Sequence, residues 1–351
     1  MFGMKSKRKA LLGVDVGSSA VKVVELTRGR GGVSLSMADL SPLAPEIVVD
    51  GQIVDSGALA NTITQLLREH KTRNRSAATA VSGHSVIVKQ ITMPGMSDEE
   101  LAATIESEAA QHVPFELSDV NLDYHVLDYN ESGSMDVLLV AVKKDKVTNY
   151  TNALSMAGLM PLVMDHDPFA VQNCYEYNYQ PPPAATVALL NVGASVTNIS
   201  VVKGATPLFT RDVSVGGNQY TDALQKELNV SFEEAEGAKL GENSAVPEDR
   251  RLPVLHAVSE IIRLEIQKTF DFFRAGSSGE HIECLYLSGG SAQVPGLTDM
   301  LRQEFAVPVE VMDPFKRISL PANTAMAEAV RRHGPRLAVA VGLALRSFED
   351  L

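Results

Sequence analysis

The chain has 351 residues, enough for two or three domains and a substantial core. Hydrophobic residues make up 45% and charged residues 21%, the balance of an ordinary globular protein. Acidic side chains outnumber basic ones by 43 to 31, and the formal net charge of -12 argues against generic binding to a nucleic-acid backbone.

Only the N-terminus is locally basic, with Lys5, Lys7, Arg8 and Lys9. It reads as a solvated lead-in to the first strand; the alternative is weak attraction to anionic lipid, about 1 kcal/mol per charge. No run approaches the ~20 apolar residues of a membrane helix, and no signal peptide is visible. Cys174 and Cys284 lie in apolar stretches without metal-ligand spacing and read as buried, reduced thiols of a cytosolic protein. The 8 histidines form no paired motif, which argues against a metal site built from nitrogen or sulfur.

The first strong segment is LLGVDVGSSAVKVVEL, Leu11 to Leu26. An apolar strand carries Asp15 near its end, Gly17, Ser18 and Ser19 make a tight turn, and Val21, Val23 and Val24 continue as a second strand. ALLNVGASVTNISVV, Ala188 to Val202, repeats it at an offset of 176 residues. Asn191 falls under Asp15, Gly193 under Gly17, Ser195 under Ser19 and Thr197 under Val21. Glycine permits close backbone approach, and successive N–H groups with Ser or Thr hydroxyls form an anion nest. Two such turns facing one another suit the ends of a triphosphate, although neither is a Walker loop.

A third segment, IECLYLSGGSAQVPGL, predicts a buried strand from Cys284 to Leu287. It runs into Ser288-Gly289-Gly290-Ser291, with a helix after Pro295. A glycine pair lets backbone lie flat against a purine or a phosphate at a helix start.

These three segments resemble the phosphate 1, phosphate 2 and adenosine motifs of the actin, hexokinase and heat-shock ATPase superfamily. The resemblance implies a duplicated α/β fold of actin-like, ribonuclease-H type, with two lobes around a nucleotide cleft. It also implies two linking helices, one from Asp167-Pro168-Phe169-Ala170 and one over Leu337 to Arg346, crossing through Ala338, Ala340, Gly342 and Ala344.

Between the hairpins, a strand is predicted over Val86 to Met93 and a helix over Ser97 to His112, with Ser97 as N-cap and Glu100 in the capping-box position. Strands over Val120 to Leu127 and Met135 to Val142 flank a turn at Asn130 to Gly133, and a helix over Lys146 to Ala157 closes the unit. The expected organisation is lobe 1 at 1–78 and 158–186, an inserted small α/β subdomain at 79–157, and lobe 2 at 187–351 with its own small subdomain at about 216–275.

The stretch MPGMSDEELAATIESEAAQHVPFELSDVNLDYHVL resembles the small subdomain of the PilM family of type IV pilus assembly proteins, and the division protein FtsA carries a related module. The opening residues and RDVSVGGNQYTDALQKELNVSFEEAEGAKL, Arg211 to Leu240, resemble the same family. FtsA-like proteins end in an amphipathic membrane-targeting helix; Ser347-Phe348-Glu349-Asp350-Leu351 shows no such face, which favours PilM.

The resemblance implies ATP and Mg2+ as cofactors. Asp15 would hold the metal through water, and Ser18, Ser19 and Lys22 would contact the β- and γ-phosphates. Gly193, Ser195 and Thr197 match the phosphate 2 pattern, whereas Asn191 replaces the family's usual Asp, leaves binding intact and places hydrolysis in doubt. Gly216 and Gly217 resemble the glycine pair flanking the nucleotide. Glu236 and Lys239 match positions that contact ribose and adenine, or read as a solvated i,i+3 pair. Gly289, Gly290 and Ser291 complete the set. Asp167 matches a water-orienting acid of some bacterial actins, or caps the helix ahead of Pro168.

The implied function is a nucleotide-responsive scaffold with weak or absent ATPase activity. It would lie at the cytoplasmic face of the inner membrane, held there by partners. The implied partner is the cytoplasmic N-terminal peptide of PilN, docking in a groove between the first subdomain and the small inserted one; Val113, Pro114 and Phe115 read as an apolar lip of that groove or as core, and pilus motor ATPases and self-association are further expectations. The rivals are an FtsA-like filament former and a turning-over ATPase or sugar kinase; a sugar kinase needs a catalytic Asp facing a polar substrate pocket, and no stretch of the N-terminal half proposes one.

Overall fold

The computed structural model describes residues 10–130, 133–241, 246–277, 279–322 and 325–348. Lys5, Lys7, Arg8, Lys9, the middle of the 130–133 turn and the last three residues lie outside them.

Lobe 1 opens as a meander of β1 (Leu12–Val16), β2 (Ala20–Gly29) and β3 (Gly32–Pro42). A short hairpin, β4 (Val48–Val49) and β5 (Gln52–Ile53), leads to α1 (Ser56–Glu69), where Asp55 accepts the Ala58 N–H at 2.9 Å as N-cap. β6 (Ser76–Val81) then returns parallel to β1. The inserted unit follows: β7 (Val86–Pro94), α2 (Asp98–His112), β8 (Val120–Tyr129) and β9 (Ser134–Lys143), with sheet order β7-β9-β8. Ser97 and Glu100 form the expected reciprocal capping box on α2. The lobe resumes with α3 (Lys144–Met156), β10 (Met160–His166) and α4 (Asp167–Tyr179).

Lobe 2 repeats this plan. β11 (Thr186–Val192), β12 (Thr197–Lys203) and β13 (Thr206–Val213) form its meander. Helices α5 (Gly217–Leu228), α6 (Phe232–Leu240) and α7 (Glu248–Gly276) follow. Next come β14 (Cys284–Ser288), α8 (Leu297–Phe305) and β15 (Val309–Val311), then α9 (Ala325–His333) and α10 (Ala338–Leu345). The sheet orders are β3-β2-β1-β6-β10 and β13-β12-β11-β14-β15, three antiparallel strands then two parallel ones in each.

On this symmetry we propose that the inserted unit runs from about 82 to 143. β6 belongs to the lobe 1 sheet, and α3 takes the place that α8 holds in lobe 2, between the two parallel strands. Tyr150, Ala153 and Leu154 of α3 share a core with Leu59, Ile63 and Leu66 of α1. In lobe 2, α5 to α7 share one core with the outer face of the sheet. Cys174 is buried, whereas Cys284 is only half-buried; both thiols are free.

The lobes meet on α4 and α10. All eight residues of α10 are buried. A Cβ on Gly342 would stand 1.7 Å from the Ala170 carbonyl oxygen, and one on Gly13 would stand 2.0 Å from that of Ala340. Helix α10 is therefore wedged backbone-to-backbone between α4 and β1, and only glycine fits at either contact. Gly342→Ala is expected to cost about 3 kcal/mol or more in urea unfolding, because the helices must separate. Gly276→Ala, whose Cβ meets nothing within 4 Å, serves as the neutral control; equal midpoints for the two variants would contradict the wedge.

Candidate functional site

The two hairpin turns have one geometry. Gly17 N–H donates to Ala20 O at 3.1 Å, and Gly193 N–H to Val196 O at 3.0 Å. Both turns line a cleft between the lobes with about 940 Å³ of empty space up to its open mouth. The register pairs Asp15 with Lys22 in one hairpin and Asn191 with Asn198 in the other. Lys22 Nζ stands 3.1 Å from Asp15, while Asn191 Nδ2–H donates to Asn198 Oδ1 at 2.8 Å. The repeat thus replaces an ion pair with a neutral amide pair at the same rungs. Asn198 was legible from the 176-residue offset, since it stands under Lys22.

Ser18, Ser19, Ser195, Gly217, Glu236, Lys239, Gly289, Gly290 and Ser291 line the same cleft. Gly289 has φ 89°, and a Cβ there would meet Val192 O at 2.4 Å. Beside it, the nearest atom to a Cβ on Gly290 is Arg336 Nε at 3.7 Å, so its backbone offers a flat wall to the cleft. Lys239 is no solvated partner of Glu236. It is 7% exposed and donates to Glu236 Oε1 at 2.5 Å and Thr221 Oγ1 at 3.0 Å. Burial lowers its pKa, and Glu236 opposes that shift.

Two expected contacts fall behind the wall. Thr197 is fully buried and donates to Val215 O at 2.7 Å, tying the hairpin to the segment before α5. Gly216 packs on the turn itself, where a Cβ would lie 2.6 Å from Ala194 O. The N–H groups of Gly217 and Asn218 are taken by the Gly193 and Ala194 carbonyls, each at 2.8 Å.

Asp167 lies in the first turn of α4 and lines the cleft, but its side chain is not the N-cap. His166 holds that position and makes no side-chain cap bond. Burial pushes the Asp167 carboxyl up to about 6, helped by the charge of Asp15 and opposed by the Ser82 hydroxyl and His166.

Several neighbours escaped the sequence reading. Lys146 of α3 is 3% exposed and donates to Ser82 O at 2.7 Å; burial lowers its pKa, against the pull of Asp167 and Asp212. Tyr150 OH donates to Gly51 O at 3.0 Å in the cleft wall. Arg336 reaches the cleft from the turn before α10. Asp212 of β13 accepts from Asn198 Nδ2 at 2.7 Å and from Gly83 N at 2.5 Å, and stands 3.7 Å from His166 Nε2. Burial alone would raise its pKa, but His166, Asn198 and Gly83 hold it below the ordinary carboxylate value.

A second, larger opening of about 1800 Å³ runs between the inserted sheet and the lobes. Leu138, Val140 and Val142 of β9 face it, with Met164 and Phe169 from lobe 1 and Pro207 from lobe 2. Val113 and Phe115 sit on the opposite side of that sheet, packed with α2, and Lys143 Nζ lies 4.5 Å over the Phe115 ring. Val113 and Phe115 of the expected lip therefore pack into the module's core, while Pro114 is exposed. Among the described residues, no three His, Cys, Asp or Glu side chains converge as a metal site, and no helix is long and apolar enough to cross a membrane.

Two lobes of one topology, joined by crossed small-residue helices and facing each other through glycine hairpins, define an actin-like protein. A sequence-family profile described as "Type IV pilus assembly protein PilM" matches residues 13–348, and the chain belongs to that family. It is similar to the structure "PilM-PilN type IV pilus biogenesis complex", at 30% identity and TM-score 0.86, covering 97% of this chain and 99% of that one. More distant likeness extends to the ethanolamine utilization protein EutJ of Escherichia coli K12, 25% identical over 49% of this chain and 52% of EutJ. The cell division protein FtsA of Rhizobium meliloti is 28% identical over 44% of this chain and 39% of FtsA. The chain thus spans about half or less of the length of these curated relatives.

The raised Asp167 pKa fixes a pH signature. Between its ordinary value of 3.8 and about 6, the folded protein holds a proton that the unfolded chain has lost, so this site's contribution to stability falls as pH rises through that window. Asp167 keeps part of its surface open to the cleft, so the penalty above pH 6 is on the order of 1–2 kcal/mol. Asp167→Asn should gain stability relative to the native protein from about pH 4 to about pH 6 and level off above, read from urea midpoints. A difference independent of pH would contradict the assignment.

Proposed function

We propose that the chain is an ATP-binding scaffold of the type IV pilus assembly platform, closing its lobes on nucleotide and docking a PilN-type peptide in the second groove. The observation that carries the nucleotide reading is the pair of glycine turns closed by the same hydrogen bond, in one cleft with three cationic side chains. Lys22 stands at the first turn and Lys239 and Arg336 at the far end, within a chain of net charge -12. That donor set fits a polyphosphate: Ser18, Ser19 and Lys22 hold one end, and Gly193 and Ser195 face them. The flat Gly289-Gly290 backbone, Glu236 and Lys239 suit ribose and base. Mg2+ would neutralise phosphate charge when bound, and Asp15 would hold it through water.

Asp167 is the carboxylate placed to orient water. Asn191 supplies no second acid beside it, so turnover is expected to be weak. Lodging at the inner face of the membrane would come through partners, and contact with motor ATPases or further copies of the chain would use other surfaces.

Calorimetry with Mg·ATP, with phosphate release followed in parallel, tests the first part. Lys22→Ala and Lys239→Ala should each weaken binding about tenfold or more, and release should stay far below the ~10 s⁻¹ common for enzymes. Unchanged affinity in both variants, or turnover at enzyme rates, would contradict the scaffold. For the groove, Val140→Asp should weaken a PilN N-terminal peptide at least about tenfold while leaving ATP affinity alone, since a buried unpaired charge is costly. Undiminished peptide binding would move the docking site elsewhere.

A further inference from the structure

Asn191, Asn198 and Asp212 occupy one row across three adjacent strands. The register pairs Asn191 of β11 with Asn198 of β12, and Asn198 with Asp212 of β13. The equivalent row in lobe 1 reads Asp15, Lys22, Leu40. Each lobe thus keeps one carboxylate in the row, but in lobe 2 it has moved from the cleft edge to the third strand.

The chemistry of that row fixes the amides. An ionised carboxylate only accepts, so Asn198 must turn its NH2 toward Asp212, and its carbonyl oxygen is left to accept from Asn191. Asn191 therefore spends its NH2 on Asn198, and its oxygen faces the other way, where the Ser288 hydroxyl approaches at 3.4 Å. The second oxygen of Asp212 is fixed from the start of the inserted unit by Gly83 N–H. Asn191 and Asn198 line the cleft, whereas Asp212 stands behind it.

Resting on the nucleotide reading above, we propose that Asp212 is a positioning residue. Through Asn198 it holds Asn191 with its carbonyl oxygen, rather than its NH2, on the side of Ser288 and Gly289 in the cleft wall. With Mg·ATP bound, that oxygen would be free to accept from a water of the metal, whereas an NH2 in its place could not. In Asp212→Asn, the one remaining oxygen is contested by Gly83 N–H and the Asn198 amide, so the row loses its fixed direction. The exchange Asn198→Asp with Asp212→Asn restores it: an acceptor-only group at 198 takes the NH2 groups of both neighbours, and Asn191 keeps its oxygen toward the cleft.

The test is the affinity for ATP with Mg2+ and with EDTA, by calorimetry on the full chain. The native protein should bind more tightly with Mg2+. Asp212→Asn should lose about 10- to 100-fold of that magnesium-dependent gain, the usual scale for residues behind a metal site, with metal-free affinity within about twofold of native. The exchanged double variant should recover the gain, which a merely structural role for Asp212 would not predict. It also keeps the test decisive if the single variant does not fold. Affinity lost equally with and without Mg2+, an unchanged gain in Asp212→Asn, or no recovery in the exchange would overturn the proposal. A native protein that binds no ATP would instead overturn the nucleotide reading, and this one with it.

Discussion

Contact between backbones at the centre of the molecule governs everything built around it. Gly342 lies against the carbonyl of Ala170, and Gly13 against that of Ala340, so β1, α10 and α4 stack with no side chain between them. Such packing leaves little freedom in the spacing of the elements, because any added carbon must push two backbones apart. The hairpin β1–β2 and the linking helix α4 both rise from this stack. The distance between the facing turns therefore follows from it, and so does the width of the cleft.

Charge is distributed to match. The chain is strongly acidic overall, yet Lys22, Lys239 and Arg336 all line this one cleft and Lys146 lies just beneath it. Against them stand Asp15 and Asp167 in the wall and Asp212 behind it. Low local dielectric makes these groups interact strongly, which is why Asp167 is pushed up while Asp212, bonded to Gly83 and Asn198 and facing His166, is held down. Two acids of one type thus acquire different characters from their surroundings. In the second groove, the same inserted sheet buries one face under α2 and turns Leu138, Val140 and Val142 outward.

What could be read from the sequence was what local chemistry encodes. Glycine turns between apolar strands, the 176-residue repeat, the Ser97–Glu100 capping box and the small-residue face of α10 are all specified by near neighbours in the chain. What could not be read depended on packing between distant segments. Helix α3 looked like the end of the inserted unit because its pattern says only that it is amphipathic; its docking on α1 assigns it to lobe 1. Tyr150 reaches the cleft, and Lys146 the layer beneath it, only through that docking. Thr197 carries a phosphate-site residue type, but the pleat turns it inward to Val215. Asp212 gave no signal at all, since its role comes from the β12–β13 register rather than from a motif.

The claim on which the rest depends is that the duplicated turns face a triphosphate. A crystal structure of the protein with Mg2+ and a non-hydrolysable ATP analogue tests it most directly. Phosphates are expected between the Gly17–Ser19 and Gly193–Ser195 turns, with the purine lying against Gly290 beside Lys239. An analogue bound at another surface, or a cleft that stays empty at saturating concentration, would contradict it.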